Sequence, residues 1–148
     1  MKLIQEIKDF IKSKEGLKLN AYLCPANVWT IGYGNTFYED GTKVKSGDKI
    51  NKERAEELYI NILNQFAEKI KPLIKQKIDD NQFSALVSFA YNVGIGNLQK
   101  STLLKLVNQN PKNTLIRNEF MKWNKGGGKI LKGLTARRKI EADIYFDG

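Results

Sequence analysis

Apolar residues over the first fourteen positions recur at helical spacing, with Leu3, Ile4, Ile7, Phe10 and Ile11 on one side. They predict an amphipathic helix over 2–14, ended at Glu15-Gly16. The helical period is then lost until Asp48. AYL at 21–23, a turn at Pro25-Ala26-Asn27 and VWTIGYG at 28–34 read as short strands. With turn signals at Glu39-Asp40-Gly41 and Ser46-Gly47-Asp48, this stretch predicts a small antiparallel sheet of about three strands. Alternation along the second strand places Val28, Thr30 and Gly32 on one face, and Trp29, Ile31 and Tyr33 on the other.

Helical periodicity returns at Asn51, a good N-cap for a helix whose apolar face is Ala55, Leu58, Tyr59, Ile62, Phe66 and Ile70. Glu53, Glu56 and Glu57 suit its positive end, and Pro72 ends or kinks it. Beyond it every pattern is helical. Asp79 or Asp80 caps a segment carrying Phe83, Leu86, Val87 and Ala90, which ends at Gly94, and Ser101 caps TLLKLVN. Asn110-Pro111 reads as a cap and first helical residue, opening a helix through Trp123. Gly126-Gly127-Gly128 reads as a flexible loop, and 134–146 as a closing helix with Ala136, Ile140 and Ile144 inward. The order of elements gives an α+β chain, mainly helical, with a small antiparallel sheet near its start. We expect one domain in two lobes: a sheet-bearing N-terminal lobe over about 14–50, a joining helix over 51–72, and a helical C-terminal lobe over 73–148 that also takes in helix 2–13.

Composition narrows the chemistry. With 148 residues, 41% hydrophobic and 28% charged, the chain can bury a real core and is not of a disordered class. No apolar run approaches the ~20 residues of a membrane helix, so no stable membrane insertion is expected. Glu6, Lys8 and Asp9 interrupt any signal-peptide core, so the expectation is cytosolic synthesis without an export signal of its own. The net charge of +9, with lysines dispersed along the chain, favours encounter with polyanions such as nucleic acid, an anionic membrane or a cell wall. One cysteine excludes an internal disulfide. The absence of histidine excludes Ser-His and Cys-His pairs and histidine metal sites, leaving acid–base work to a carboxylate, the thiol, tyrosine or lysine. No cofactor or metal is called for.

The stretch that concentrates such groups is EGLKLNAYLCPANVWTIGYGNT, Glu15 to Thr36. It contains the only cysteine, Cys24, and Glu15 is the only carboxylate between residues 10 and 38. Taken singly, each residue has an ordinary reading. Glu15 is an exposed charge near a helix end, Cys24 a small apolar filler and Thr30 a β-branched strand residue. A carboxylate is nevertheless unfavourable at a helix C-terminus, so helix stability does not explain Glu15. Gly32-Tyr33-Gly34 and the GGGK at 126–129 lack the flanking elements of a phosphate loop. Gly32 and Gly34 instead suggest close approach of another backbone or a sugar chain.

The spacing Glu15, eight residues, Cys24, five residues, Thr30, leading into TIGYGNT, resembles the catalytic signature of the phage lysozymes (endolysins) of glycoside hydrolase family 24. Three further stretches extend the resemblance over nearly the whole chain: NQFSALVSFAYNVGIG at 81–96, STLL at 101–104 and GLTARRKIEADIYF at 133–146. Two positions depart from it: Cys24 stands where most members carry aspartate, and Asn35 where they carry histidine. The resemblance implies a lysozyme-like fold and hydrolysis of the β-1,4 bond between N-acetylmuramic acid and N-acetylglucosamine in peptidoglycan. It implies Glu15 as general acid, Thr30 positioning water, Cys24 in the place of the residue that helps activate it, and Gly34, Tyr91 and Asn92 as saccharide contacts. Arg137, Arg138 and Glu141 match a pattern that reads as a structural ion-pair network. As partners it implies peptidoglycan glycan strands and a holin-type helper, which lets a chain made in the host cytoplasm reach the wall once the membrane is permeabilised. A monomer that binds no nucleic acid is expected. Two rivals stay open: a non-catalytic wall-binding domain on the same fold, and a basic nucleic-acid-binding protein, though the latter has no recognisable motif.

Overall fold

A computed structural model describes residues 1–147. Its contacts divide the chain into two compact units, one of residues 9–66 and one of residues 1–8 with 67–148. Two helices, α1 (Gln5–Glu15) and α2 (Lys52–Ile70), contribute residues to both.

In the unit of 9–66, β1 (Lys18–Leu23) pairs antiparallel with β2 (Trp29–Gly32), matching Tyr22 with Thr30 and Leu23 with Trp29. The register slips between Lys18 and Tyr22, a bulge that twists the ribbon. The third strand expected from the turn signals does not form. Its place is taken by an isolated bridge, Asn20 to Lys49, with Ala21 N donating to Asp48 O and Ile50 N to Leu19 O. The polar, turn-rich run from Thr36 to Asp48 is held by local backbone bonds, among them Val44 N to Thr36 O and Tyr38 N to Thr42 O, and by side chains. Arg54 forms a two-pronged pair with Glu39 at 2.7 Å on each prong, Asn61 adds a third bond to that carboxylate, and Tyr38 donates to Asp48. Beneath lies an apolar cluster of Ile31, Val44, Leu58 and Ile62, flanked by Trp29, Phe37 and Ile50. Asn51 caps α2 as expected, accepting from Arg54 N at 2.7 Å, and Pro72 sits in a 3-10 turn at Lys71–Leu73.

In the other unit, Asp79 and Gln82 form a full capping box at the start of α3 (Asp80–Val93). A short α4 (Ile95–Lys100), which the sequence pattern did not reveal, leads into α5 (Thr102–Gln109), capped by Ser101. The helix expected from Asn110 begins later, as α6 (Leu115–Met121). Asn110 closes α5 and its side chain accepts from Lys112 N, an Asx turn that holds Pro111 outside the helix. The triple glycine is not a loose loop. Gly127 and Gly128, at φ 59° and 80°, make the two-residue turn of a hairpin between β3 (Lys125–Gly126) and β4 (Lys129–Ile130).

The closing helix, α7 (Lys132–Tyr145), corrects a second expectation. Ile144 is buried, but Ala136 and Ile140 face solvent. The inward face is Arg137, Arg138, Glu141, Ala142, Ile144 and Tyr145. Charged groups occupy it as a cluster of mutual ion pairs. Glu141 forms an ion pair with Arg138 Nε at 2.9 Å and accepts hydrogen bonds from Arg137 Nε at 3.2 Å and the Ser88 hydroxyl at 2.6 Å. Arg137 also donates to Ser88 O, and the Arg138 guanidinium lies over the Phe89 ring. Phe89, Phe120 and Tyr145 continue the core in edge-to-face contacts.

Candidate active site

The α1 helix delivers Glu15 as its last residue, half-buried, with Gly16 next. Opposite it is the turn that follows β2. Ile31 and Asn35 exchange both backbone hydrogen bonds, at 2.8 and 2.9 Å, so Gly32, Tyr33 and Gly34 form a tight reversal. Gly34 has a φ of +79°, and a Cβ there would lie 3.0 Å from the Glu15 carboxyl carbon and closer still to Oε2. The positive φ favours glycine here, and a side chain would also displace the Glu15 carboxylate from its place beside the turn.

Cys24 sits at the other end of the hairpin. Its backbone N–H donates to Val28 O at 3.0 Å, and Asn27 N returns a bond to Cys24 O, closing the Pro25-Ala26-Asn27 turn with Asn27 at φ 63°. The half-buried thiol lies below its usual range. Hydrogen bonding by the Val28 backbone is the main cause, and the Thr30 hydroxyl and Ala26 backbone add to it against the opposing effect of burial. Thr30 is buried, and its hydroxyl donates to Val28 O at 3.0 Å. That hydroxyl has a single proton. It can serve Val28 O while accepting from the thiol, or turn to the sulfur when the thiol ionises.

The structure thus brings Glu15 against Gly34 and Cys24 against Thr30, all four within the unit of 9–66. Tyr91 and Asn92 lie on α3, in the other unit. Asn92 Oδ1 accepts from Arg138 Nη2 at 2.7 Å, a structural use of its side chain. Val28, expected to share a face with Thr30, is exposed, whereas Thr30, Ile31, Gly32 and Tyr33 are all buried, so the second strand does not alternate. Asn35 is buried, in keeping with its place at the base of the turn.

One group escaped the sequence reading. Tyr33 donates to Glu56 Oε1 at 2.7 Å, and Lys12 pairs with Glu56 Oε2 at 2.5 Å. Burial, reinforced by the Glu56 carboxylate, pushes the Tyr33 phenol up to about 12. Glu56 looked like one more acid at the start of α2, and nothing local ties it to Lys12 or Tyr33.

A carboxylate at a helix end is thus set against the glycine turn that follows a small hairpin. The sequence model of the phage lysozymes matches residues 12–141, and the chain belongs to that family. It is 40% identical over 150 aligned positions to the endolysin of Bacillus phage B103, matching with all of its own length but 55% of that protein's. The chain thus spans about half the length of that curated relative. Among solved structures, the endolysin from Escherichia coli O157:H7 phage FAHEc1 superposes with a TM-score of 0.85 at 39% identity, covering 99% of this chain and 94% of that one. The muramidase domain of SpmX from Asticaccaulis excentricus gives 0.85 at 30% identity, covering 99% of both.

Proposed function

We propose that the chain is a peptidoglycan hydrolase, a muramidase that cleaves the β-1,4 bond between N-acetylmuramic acid and N-acetylglucosamine, and that it serves as a phage endolysin in host lysis. The observation that carries this reading is the placement of Glu15 against Gly34, in the spacing that leads through Cys24 to Thr30. Glycoside hydrolysis needs a proton donor on one side of the bond and an activated water or nucleophile on the other. Glu15 is the donor to the leaving oxygen. The Thr30 hydroxyl orients the attacking water, and Cys24 shares in its activation or placement. The bare backbone at Gly34 admits the sugar, and Tyr91 and Asn92 are further saccharide contacts. A basic chain suits an anionic wall. Among the described residues no helix is long and apolar enough to cross a membrane. Passage from the host cytoplasm to the wall is assigned to a holin-type helper.

Mass analysis of the fragments released from purified peptidoglycan tests the reaction. Reducing-end muramic acid is expected. Anhydro-muramic ends would mean a transglycosylase, and binding without release would mean a wall-binding domain. Glu15→Gln keeps the shape but cannot donate the proton, so lysis should fall by at least ~10²-fold. A folded variant retaining a tenth of the activity removes Glu15 from the role of acid.

A further inference from the structure

The turn that faces Glu15 is held from behind by side chains from three separate segments. Tyr33 is 6% exposed and immediately precedes Gly34. Its hydroxyl donates to Glu56 Oε1 at 2.7 Å, and Tyr59 meets its ring edge-on at 5.6 Å between centres. The second oxygen of Glu56 takes the Lys12 ammonium, which also lies 5.1 Å from the centre of the Tyr33 ring. Lys12 and Glu15 are three residues apart on α1, the spacing at which helix side chains share a face. One carboxylate on α2 therefore ties the last turn of the helix that carries Glu15 to the turn against which Glu15 lies.

We propose that Tyr33 and Glu56 are positioning residues for Glu15, fixing the Gly34 turn and the end of α1 at the separation the proton transfer needs. This rests on the reading of Glu15 as the general acid. A general acid must hold its proton within hydrogen-bond reach of the leaving oxygen, and displacements well under 1 Å matter. Gly34 has no side chain by which to lock itself in place. The Ile31–Asn35 backbone bonds close the turn, and Tyr33, the adjacent residue with a buried ring and a bonded hydroxyl, anchors it to α2. Glu56 makes the restraint mutual by engaging both the turn and the helix.

The test compares wild type, Tyr33→Phe, Glu56→Gln and the double variant, with kcat and KM measured on soluble glycan strands and thermal melts in parallel. Each single variant should lose roughly tenfold to a hundredfold in kcat, with KM within about twofold of wild type. The double variant should be no slower than the slower single, because both changes cut the same tether. Glu56→Asp, which keeps the carboxylate, should recover part of the loss that Glu56→Gln shows. Singles with kcat within about twofold of an active wild type, losses that multiply in the double, or losses that track the folded fraction each overturn the positioning role. A wild-type protein that releases no glycan fragments overturns the proposed function, and the positioning role with it.

Discussion

The two units hold their most telling carboxylates in opposite ways. Glu141, in the helical unit, is fully buried and met by two guanidiniums and a serine hydroxyl. Burial pushes its carboxyl up and that of Arg138's guanidinium down, while their mutual attraction opposes both shifts. Glu15, in the sheet-bearing unit, is half-buried at the unfavourable end of a helix, beside a glycine at which any side chain would push its carboxylate aside. One arrangement spends its geometry on satisfying a charge, the other on leaving room beside it. Both are a glutamate on a helix with arginine or lysine within four residues in sequence. Only the surroundings separate the two.

The sharpest way to break this contrast is Glu141→Gln. It leaves Arg137 and Arg138 buried with one countercharge removed, and loss of one partner from a buried pair costs about 3–5 kcal/mol. Denaturant melts should show a loss of that order, and lytic activity should fall only with the folded fraction. Glu15→Gln should do the reverse, abolishing turnover with stability nearly unchanged. A Glu141→Gln protein that folds normally but is inactive would put α7 in the chemistry and collapse the distinction.

Glu39 offers a smaller effect on the sheet-bearing side. The two-pronged bond from Arg54, helped by Asn61, holds its carboxyl down at about 2, against an ordinary value of 4.5. A depressed folded pKa stabilises the protein above the unfolded value and loses that contribution as pH falls through the folded one. Glu39→Gln should therefore cost on the order of 1–2 kcal/mol at neutral pH, after allowing for the pair's partial solvent screening. The gap between the two proteins should close between about pH 4.5 and pH 2. A gap that stays constant across that range would mean that the loop is held by packing alone.

Much of this was legible in the sequence because the signals were local. Asn51, Asp79 and Ser101 cap where their short polar side chains predict, and Glu15, Cys24 and Thr30 stand in a recognisable spacing. Failures arose where tertiary contacts reversed a local preference. On α7, apolarity pointed to Ala136 and Ile140, but the buried face follows Arg137, Arg138 and Glu141, whose burial depends on Ser88 and Asn92 from another helix. The Asn110-Pro111 signature was absorbed by the end of α5, and three glycines produced a hairpin because two of them fit a primed turn. The Lys12–Glu56–Tyr33 tether joins residues 23 positions apart in one link, a separation no periodicity can flag.

Cys24 sharpens the comparison at its finest grain, because it stands where the resemblance leads one to expect a second carboxylate. A thiol of ordinary pKa, about 8.5, is mostly protonated at neutral pH and a weaker base than a carboxylate. Here the Val28 backbone, and after it the Thr30 hydroxyl, lower the thiol's pKa against the opposing effect of burial. Wild-type activity should rise with pH along a limb set by the thiol, and Cys24→Asp should lose that limb while matching or exceeding wild-type turnover. Cys24→Ser should be slower by up to roughly tenfold, less than the ~10²-fold or more expected for loss of the general acid. As the only thiol in the chain and half-buried rather than sealed, Cys24 should react stoichiometrically with small alkylating reagents, and activity should disappear with the label. Full labelling with activity intact would reduce Cys24 to a hairpin residue, leaving Glu15 and Thr30 to carry the reaction without it.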